Sequence, residues 1–225
     1  MILALDTSQS FGSIALKEEQ SLVYSAYFDI RITHSETLMP AIDEAFKLCG
    51  YQPKDLSAIV LSIGPGSFTG LRIGLATAKG MAFALNIPVF TFDSLILGAS
   101  PLIGFDKEIF VALDARMKEL YIARYSPSLT ELMPPKAVIP QDLLDYDLKD
   151  CIITGSGVQH IKPIMDEAGI ALNYADETMF FPKAEHLLWL LENKATKEHR
   201  GEELMDLAPL YIRESTAQIK ARNKK

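Results

Sequence analysis

The stretch with the densest chemical potential is Gly64-Pro65-Gly66-Ser67-Phe68-Thr69-Gly70-Leu71-Arg72-Ile73-Gly74. It follows an apolar run and opens a helical pattern, the place where backbone amides at a helix N-terminus can hold phosphate. Its spacing fits neither nucleotide motif. A dinucleotide fingerprint needs two residues between its second and third glycines, and Gly66 and Gly70 have three. A P-loop needs four residues between glycines followed by Lys-Ser/Thr, and Gly70-Leu71-Arg72 does not supply that. Two carboxylates, Asp6 and Asp114, each end an apolar run, where such groups can position a metal–nucleotide complex. Side chains follow both of them (Thr7-Ser8 and Ala115-Arg116), where glycines would let phosphates touch the backbone. An ion pair of Arg116 with Asp114 or Asp6 would leave no room for a triphosphate. His34, His160, His186 and His199 are scattered without metal-ligand spacing, and no Gly-x-Ser-x-Gly elbow occurs.

The chain that must position these groups has 225 residues, is 48% hydrophobic and 23% charged, and carries a formal charge of −7. That composition belongs to a globular protein with a sizeable core. An acidic chain repels phosphate backbones at long range, so it is a poor candidate for gripping RNA alone. The basic end Lys220-Ala221-Arg222-Asn223-Lys224-Lys225 is a local exception, read as a solvated terminus. No apolar run approaches the ~18 residues of a membrane span, and Met1 to Asp6 lacks the features of a secretory signal. Cys49 and Cys151 lack motif spacing and read as buried thiols in a reducing, cytoplasmic setting.

Periodicity places strands at Ile2 to Leu5, Ser13 to Leu16, Leu22 to Phe28, Ala58 to Ile63 and Val89 to Phe92. A helix with Thr33 and Glu36 in capping-box spacing runs to Cys49, with Leu38, Ile42, Ala45 and Phe46 on one face. Pro40 is expected to kink its first turn or delay its start. A second helix spans about Thr69 to Leu85. The order β-β-β-α-β-α-β is that of the ribonuclease-H-like module which actin and sugar kinases use twice. The second half repeats the plan in a damaged form. Ile109 to Leu113 ends in Asp114, Tyr121 to Tyr125 is its hairpin partner, and a Pro-rich stretch with a short helix near Gln141 to Leu144 follows. Cys151 to Thr154 then ends in Gly155-Ser156-Gly157, as the fourth strand ends in Gly64-Pro65-Gly66. The expected fold is therefore α/β, an actin-like duplication (the ASKHA class) of two β-β-β-α-β-α-type subdomains. Residues 1–100 form the first and 101–225 a degenerate second, closed by helices around Ala184 to Lys194 and near the C-terminus, the last free to pack back on the first subdomain.

Gly66, Gly70, Gly74, Ala78 and Ala82 recur every four residues and form a smooth ridge; Ala76, Gly80 and Ala84 form another. Glycine costs about 1 kcal/mol relative to alanine inside a helix, so another backbone must approach closely. One ridge can lie on the chain's own sheet while the other meets a partner helix, and the sequence leaves open which.

These residues resemble the TsaB (YeaZ) family. Asp6-Thr7-Ser8, the Gly64 to Gly74 segment, Asn86-Ile87-Pro88-Val89, Asp114-Ala115-Arg116 with Glu119 and Tyr121, Gly155-Ser156-Gly157 and Pro209-Leu210-Tyr211-Ile212-Arg213 stand in the expected order. The resemblance implies two actin-like subdomains and a part in forming threonylcarbamoyladenosine on tRNA next to the anticodon. The catalytic relative TsaD carries a His-x-x-x-His metal pair, whereas the matching Phe92-Asp93-Ser94-Leu95-Ile96-Leu97-Gly98 has none, and Ser94 and Gly98 cannot hold a metal.

The expectation that follows is a non-catalytic subunit, a pseudoenzyme with no metal, pairing with a TsaD-type catalytic subunit through N-terminal helices, joined by the ATPase TsaE, and meeting tRNA only through the complex. Alone it would form a homodimer. Leu38, Gly70, Arg72, Gly74, Leu75, Ala78, Lys79 and Ala82 are the expected partner contacts. On that expectation Gly74→Leu blocks association and leaves the isolated chain folded. Asp6, Thr7, Ser8, Asp114, Arg116, Gly155 and Gly157 are expected to be a vestigial nucleotide site. No cofactor is expected on this chain alone, with ADP or ATP at the subunit interface left open. The alternative is a nucleotide-dependent kinase-like enzyme or a glycoprotease-like metallopeptidase of the actin-like superfamily.

Overall fold

The computed structural model describes residues 1–28, 34–116 and 118–212, with only the backbone of His34. Thr33 of the expected capping box, Arg213 and the expected C-terminal helix with its basic tail lie outside the described residues. The first half runs β1 (Ile2–Asp6), β2 (Gly12–Glu18), β3 (Ser21–Phe28), α1 (His34–Cys49), β4 (Ala58–Ser62), α2 (Phe68–Leu85) and β5 (Val89–Phe92). The helix α1 runs through Pro40, which neither delays nor divides it.

After α3 (Ser94–Ala99) the second half runs β6 (Glu108–Arg116), β7 (Glu119–Tyr125), β8 (Glu131–Val138), β9 (Cys151–Thr154), α4 (Val158–Glu167) and β10 (Asn173–Tyr174). Apart from a sixth, edge strand that the tail adds beside β5, the first sheet has the order β5-β4-β1-β2-β3, and the second has β10-β9-β6-β7-β8, the same five-strand plan twice. The second copy is therefore less damaged than the sequence suggests. Its third strand, β8, hides in the Pro-rich stretch because it is an edge strand, where Pro134 and Pro135 cost few ladder bonds. What is degenerate is the counterpart of α1, reduced to a 3-10 stretch over Pro140–Asp145.

The tail of the chain returns to the first sheet. The helix α5 (Ala184–Asn193) packs on β1, β2 and β4; β11 (Glu198–His199) pairs with β5; α6 (Glu203–Asp206) touches α2. Alternation along the strands then builds five layers. Leu3 and Leu5 of β1 face α1 and α2, while Ala4 faces the central layer with Leu95 and Leu97 of α3 and Leu187 and Leu190 of α5. From the other side, Ile109, Val111 and Leu113 of β6 join that central layer, and Phe110 and Ala112 pack towards Ile161 of α4. The actin-like duplication is thus complete in its sheets.

The start of α5 is tied down by Ala184 N–H donating to Ser13 Oγ (2.9 Å) and Lys183 N–H donating to His186 Nδ1 (3.0 Å). Burial, chiefly, holds the His186 pKa below its ordinary 6.5, and the Lys183 charge acts in the same direction. The folded state thus favours the neutral ring, so its stabilisation is present above pH 6.5 and is lost as pH falls through the depressed value. The difference in unfolding free energy between the native chain and His186→Gln is expected to shrink from about pH 7.5 to about pH 5 in urea titrations. A pH-independent difference would place the proton elsewhere.

Candidate functional site

Two loops leave the C-terminal ends of β1 and β6 and face each other across the gap between the sheets. Asp6 is fully buried, and its Oδ1 accepts the Ser8 N–H (3.0 Å) and the Ser62 hydroxyl. Asp114 repeats the device: its Oδ1 accepts the Arg116 N–H at 2.7 Å. The Asp114 N–H donates to Ser156 Oγ, and that hydroxyl donates to Gln9 Oε1, both at 3.0 Å, so the two loops are bolted together. Amides that could cradle phosphate are thereby occupied by the chain's own carboxylates, which also repel an anion. The expected Arg116 ion pair does not form: the Asp114 carboxylate instead faces the His160 ring, Nε2 to Oδ2 3.5 Å, and the Arg116 guanidinium forms no ion pair among the described residues.

Between the loops lies a cleft of about 480 Å3. The first half contributes Ser8, Gln9, Ser10 and Ser67; the second contributes Asp114, Arg116, Ser156 and Lys162. An aromatic wall of Tyr174, Phe180 and Phe181 closes one side. Arg116 sits at φ 59°, an uncommon conformation for a side-chain-bearing residue, where a register break in the β6–β7 ladder turns the chain. Of the expected vestigial residues, Ser8, Asp114 and Arg116 line this cleft, whereas Asp6, Thr7, Gly155 and Gly157 do not. The last two are glycines because the loop runs against β6: a Cβ at Gly155 would sit 2.3 Å from the Ala112 carbonyl oxygen. Lys162 and the Phe180-Phe181 pair carry no sequence signal, since α4 and the aromatic segment match no motif.

Thr7 turns the other way. Its buried hydroxyl donates to the Gly70 carbonyl at 2.8 Å, and a Cβ at Gly74 would lie 2.3 Å from that oxygen. At Gly66 a Cβ would meet the Ser8 carbonyl oxygen at 2.1 Å. The Gly66–Ala82 ridge therefore faces the chain's own sheet. This corrects the expected partner contacts: Leu38, Gly70, Gly74, Leu75, Ala78 and Ala82 are all buried inside the chain. Arg72 and Lys79 lie towards the outer side and hold the tail. The Arg72 guanidinium stacks 3.8 Å over Phe68, and its Nε donates to Tyr211 Oη (3.1 Å). Lys79 Nζ donates to the Met205 carbonyl at 2.9 Å. What remains outward is the second ridge, Ala76, Gly80 and Ala84, flanked by Phe83 (65% exposed).

At the position of the histidine pair the chain has α3, whose N-cap Asp93 accepts the Leu95 and Ile96 amides at 2.8 Å. Burial raises the Asp93 pKa, and the Tyr125 hydroxyl lies within 3.4 Å as a donor. Ser94 is buried, and a Cβ at Gly98 would meet Val111 at 2.8 Å, so this stretch is packed protein. No cluster of three His, Cys, Asp or Glu with metal-binding geometry occurs among the described residues, and no helix among them is long and apolar enough to cross a membrane.

Residues 30–221 match the family described as TsaD, tRNA N6-adenosine threonylcarbamoyltransferase. The "tRNA threonylcarbamoyladenosine biosynthesis protein TsaB" of Bacillus subtilis is 31% identical, with 97% of this chain and 96% of that protein covered. The protein of the same name from Escherichia coli is 27% identical, with 96% of each covered. The solved YeaZ of Pseudomonas aeruginosa superposes with a TM-score of 0.76 at 26% identity, over 93% of this chain and 98% of that one. Component A of (R)-2-hydroxyglutaryl-CoA dehydratase from Acidaminococcus fermentans has a TM-score of 0.50 at 9% identity, over 84% and 96%, a likeness of fold alone.

Because the first ridge is internal, Gly74→Leu is expected to destabilise the isolated chain by about 1–3 kcal/mol, the range for overpacking a closed contact. Gly80 has an ordinary φ, and a Cβ added there would meet nothing within 4 Å. Gly80→Ala is therefore expected to stabilise the chain by about 0.5–1 kcal/mol. Urea unfolding of both variants checks the assignment, which fails if the two shifts share a sign.

Proposed function

The chain belongs to the TsaB (YeaZ) family, and on that premise we propose that it is a non-catalytic partner subunit in the formation of threonylcarbamoyladenosine on tRNA next to the anticodon. The observation that carries this reading is the split between the two ridges of α2. The inward ridge is used up on Thr7 and the first sheet, while Ala76, Gly80, Ala84 and Phe83 lie open to solvent. A smooth ridge beside an exposed aromatic ring suits close helix–helix packing, and the neighbouring α1 carries an exposed apolar side chain of its own, Met39 (49% exposed).

The partner is a TsaD-type catalytic subunit, docked on the α1–α2 face in a four-helix contact. An ATPase of the TsaE type joins the pair, and tRNA is reached only through the assembly, as the charge of −7 favours. Without the partner, the same face pairs two copies of the chain. A catalytic role for this chain is disfavoured by the Asp6 and Asp114 loops, whose amides are already bonded to their own carboxylates. The packed stretch from Ser94 to Gly98 leaves a metallopeptidase no ligand set there. The proposed compartment is the cytoplasm.

The test pairs this chain with the same organism's TsaD-type protein and measures complex mass, then tRNA modification with and without this chain. Gly80→Leu is expected to leave the isolated chain folded and weaken association by at least roughly tenfold, about 1.4 kcal/mol. Undiminished association of the folded variant would remove the outward ridge from the interface. Modification that proceeds equally without this chain would overturn the subunit role.

A further inference from the structure

The last described stretch of the chain, residues 203–212, lies along α2 as a strap. Leu204 and Leu207 are buried in the layer that α2 shares with the first sheet, and Ile212 packs against the central layer. Between these anchors the strap crosses the exit of β4. The Leu210 N–H donates to the Ile63 carbonyl at 2.7 Å, and a Cβ on Gly64, which sits at φ 114°, would lie 2.6 Å from the Leu210 carbonyl oxygen. Gly64 is thus a glycine for its own backbone turn and for the strap alike.

Two points on α2 hold the strap. Lys79 Nζ donates to the Met205 carbonyl. Towards the start of the helix the Tyr211 ring stacks on Phe68, centroids 5.2 Å apart, and its hydroxyl accepts the Arg72 Nε–H. The strap therefore runs antiparallel to α2, along the ~16 Å of helix between Phe68 and Lys79. Arg72 and Lys79 each stand one turn before a residue of the open row, Ala76 and Phe83, so the strapped and open rows are neighbours on the helix surface.

A strap that only covered α2 would turn polar side chains to water. This one does so at its start, where Glu203 pairs with Lys197 at 3.2 Å and Asp206 is exposed. Further on, its exposed side chains are Ala208, Leu210 and Tyr211, and Tyr211 is stacked on Phe68, itself exposed. Adjoining apolar groups left open in this way mark a contact surface. Neighbouring rows on a helix are about 5–6 Å apart and a helix is about 10 Å across, so whatever packs on the open row also reaches the strapped one.

We propose that the strap is a second wall of the α2 docking face: the TsaD-type subunit that packs on Ala76, Gly80 and Phe83 also covers Leu210, Tyr211 and Phe68. This rests on the partner-subunit reading. Docking and strap attachment then stabilise each other, because the partner buries a surface that exists only while the strap is in place.

Hydrogen exchange at the Leu210 amide reports strap attachment, and titration with the same organism's TsaD-type protein reports docking. Partner binding is expected to slow exchange of that amide by roughly tenfold or more. Tyr211→Ala, which removes the stack on Phe68, is expected to speed exchange in the isolated chain and to weaken association roughly fivefold or more. Leu210→Ser keeps the backbone bond to Ile63 and removes an outward apolar side chain. It is expected to leave exchange in the isolated chain unchanged and still weaken association by roughly threefold or more, with thermal unfolding confirming that each variant is folded. Exchange indifferent to the partner, or undiminished association of either folded variant, would overturn the strap as a wall. A complex weakened by Gly80→Leu but not by Leu210→Ser would overturn the strap alone and leave the subunit role standing. No complex with the native chain would overturn both.

Discussion

The close approach of the β1 exit to α2 is the constraint from which most of the molecule follows. Gly66 and Gly74 have no side chain where the Ser8 carbonyl and the Thr7 hydroxyl arrive, and the Ser67 N–H closes the contact by donating to the Ser8 carbonyl at 2.7 Å. Glycine within a helix costs about 1 kcal/mol against alanine, and the contact returns more than that. It lets α2 lie flat on the first sheet, burying Leu75 with Leu3, Leu5, Ile59 and Leu61, each worth about 1.5–3 kcal/mol when withdrawn from water. A methyl group at Gly74 would lie 2.3 Å from the Thr7 hydroxyl oxygen, too close for both to keep their places.

The same contact fixes the floor of the cleft. Once Ser8 is tied to Ser67, the β1 loop cannot open its amides to a phosphate, and Asp6 completes the closure by accepting the Ser8 N–H. The β6 loop reaches a similar state through Asp114 and Arg116, and Ser156 joins the two loops by way of Gln9. Asp6 at the end of β1 and Asp114 near the end of β6 are both structural acceptors, each bonded to the amide two residues on. The walls above that floor carry Arg116 and Lys162 beside Asp114 and Glu177, with the rings of Tyr174, Phe180 and Phe181.

Much of this is legible in the sequence, and the exceptions have physical causes. Continuous apolar runs and hairpin spacing locate β1 to β5 to within about a residue or two; β1 and β4 are buried along nearly their whole length, which leaves little ambiguity of period. β8 escapes because prolines tolerated at a sheet edge read as loop. The four-residue glycine period announces a close backbone approach but cannot say from which side, because a ridge looks the same to a sheet and to a partner. Thr7 and Ser8 decide it, the former through a hydroxyl contact to a residue 63 positions away in the chain. Arg116 reads as half of an ion pair, which its backbone geometry replaces with a bond from its amide to Asp114. Lys162, Phe180 and Phe181 are silent because cleft walls assembled from separate segments leave no local pattern.

One helix serves both surfaces, and that has a consequence for how they communicate. The α2 N-cap residue, Ser67, lines the cleft, and its hydroxyl accepts the Gly70 N–H; three turns on, the same helix presents Ala76, Gly80 and Phe83 outward. Arg72 and Lys79, between the two, hold the returning tail through Tyr211 and the Met205 carbonyl, which braces the helix on its outer side. Thr7 fixes the helix to the sheet and the tail braces it from outside. Any coupling between cleft occupancy and docking on the outer ridge therefore has α2 as its shortest physical route. Thermodynamics would make that coupling reciprocal: a ligand that seats α2 better for the partner is itself held more tightly once the partner is bound.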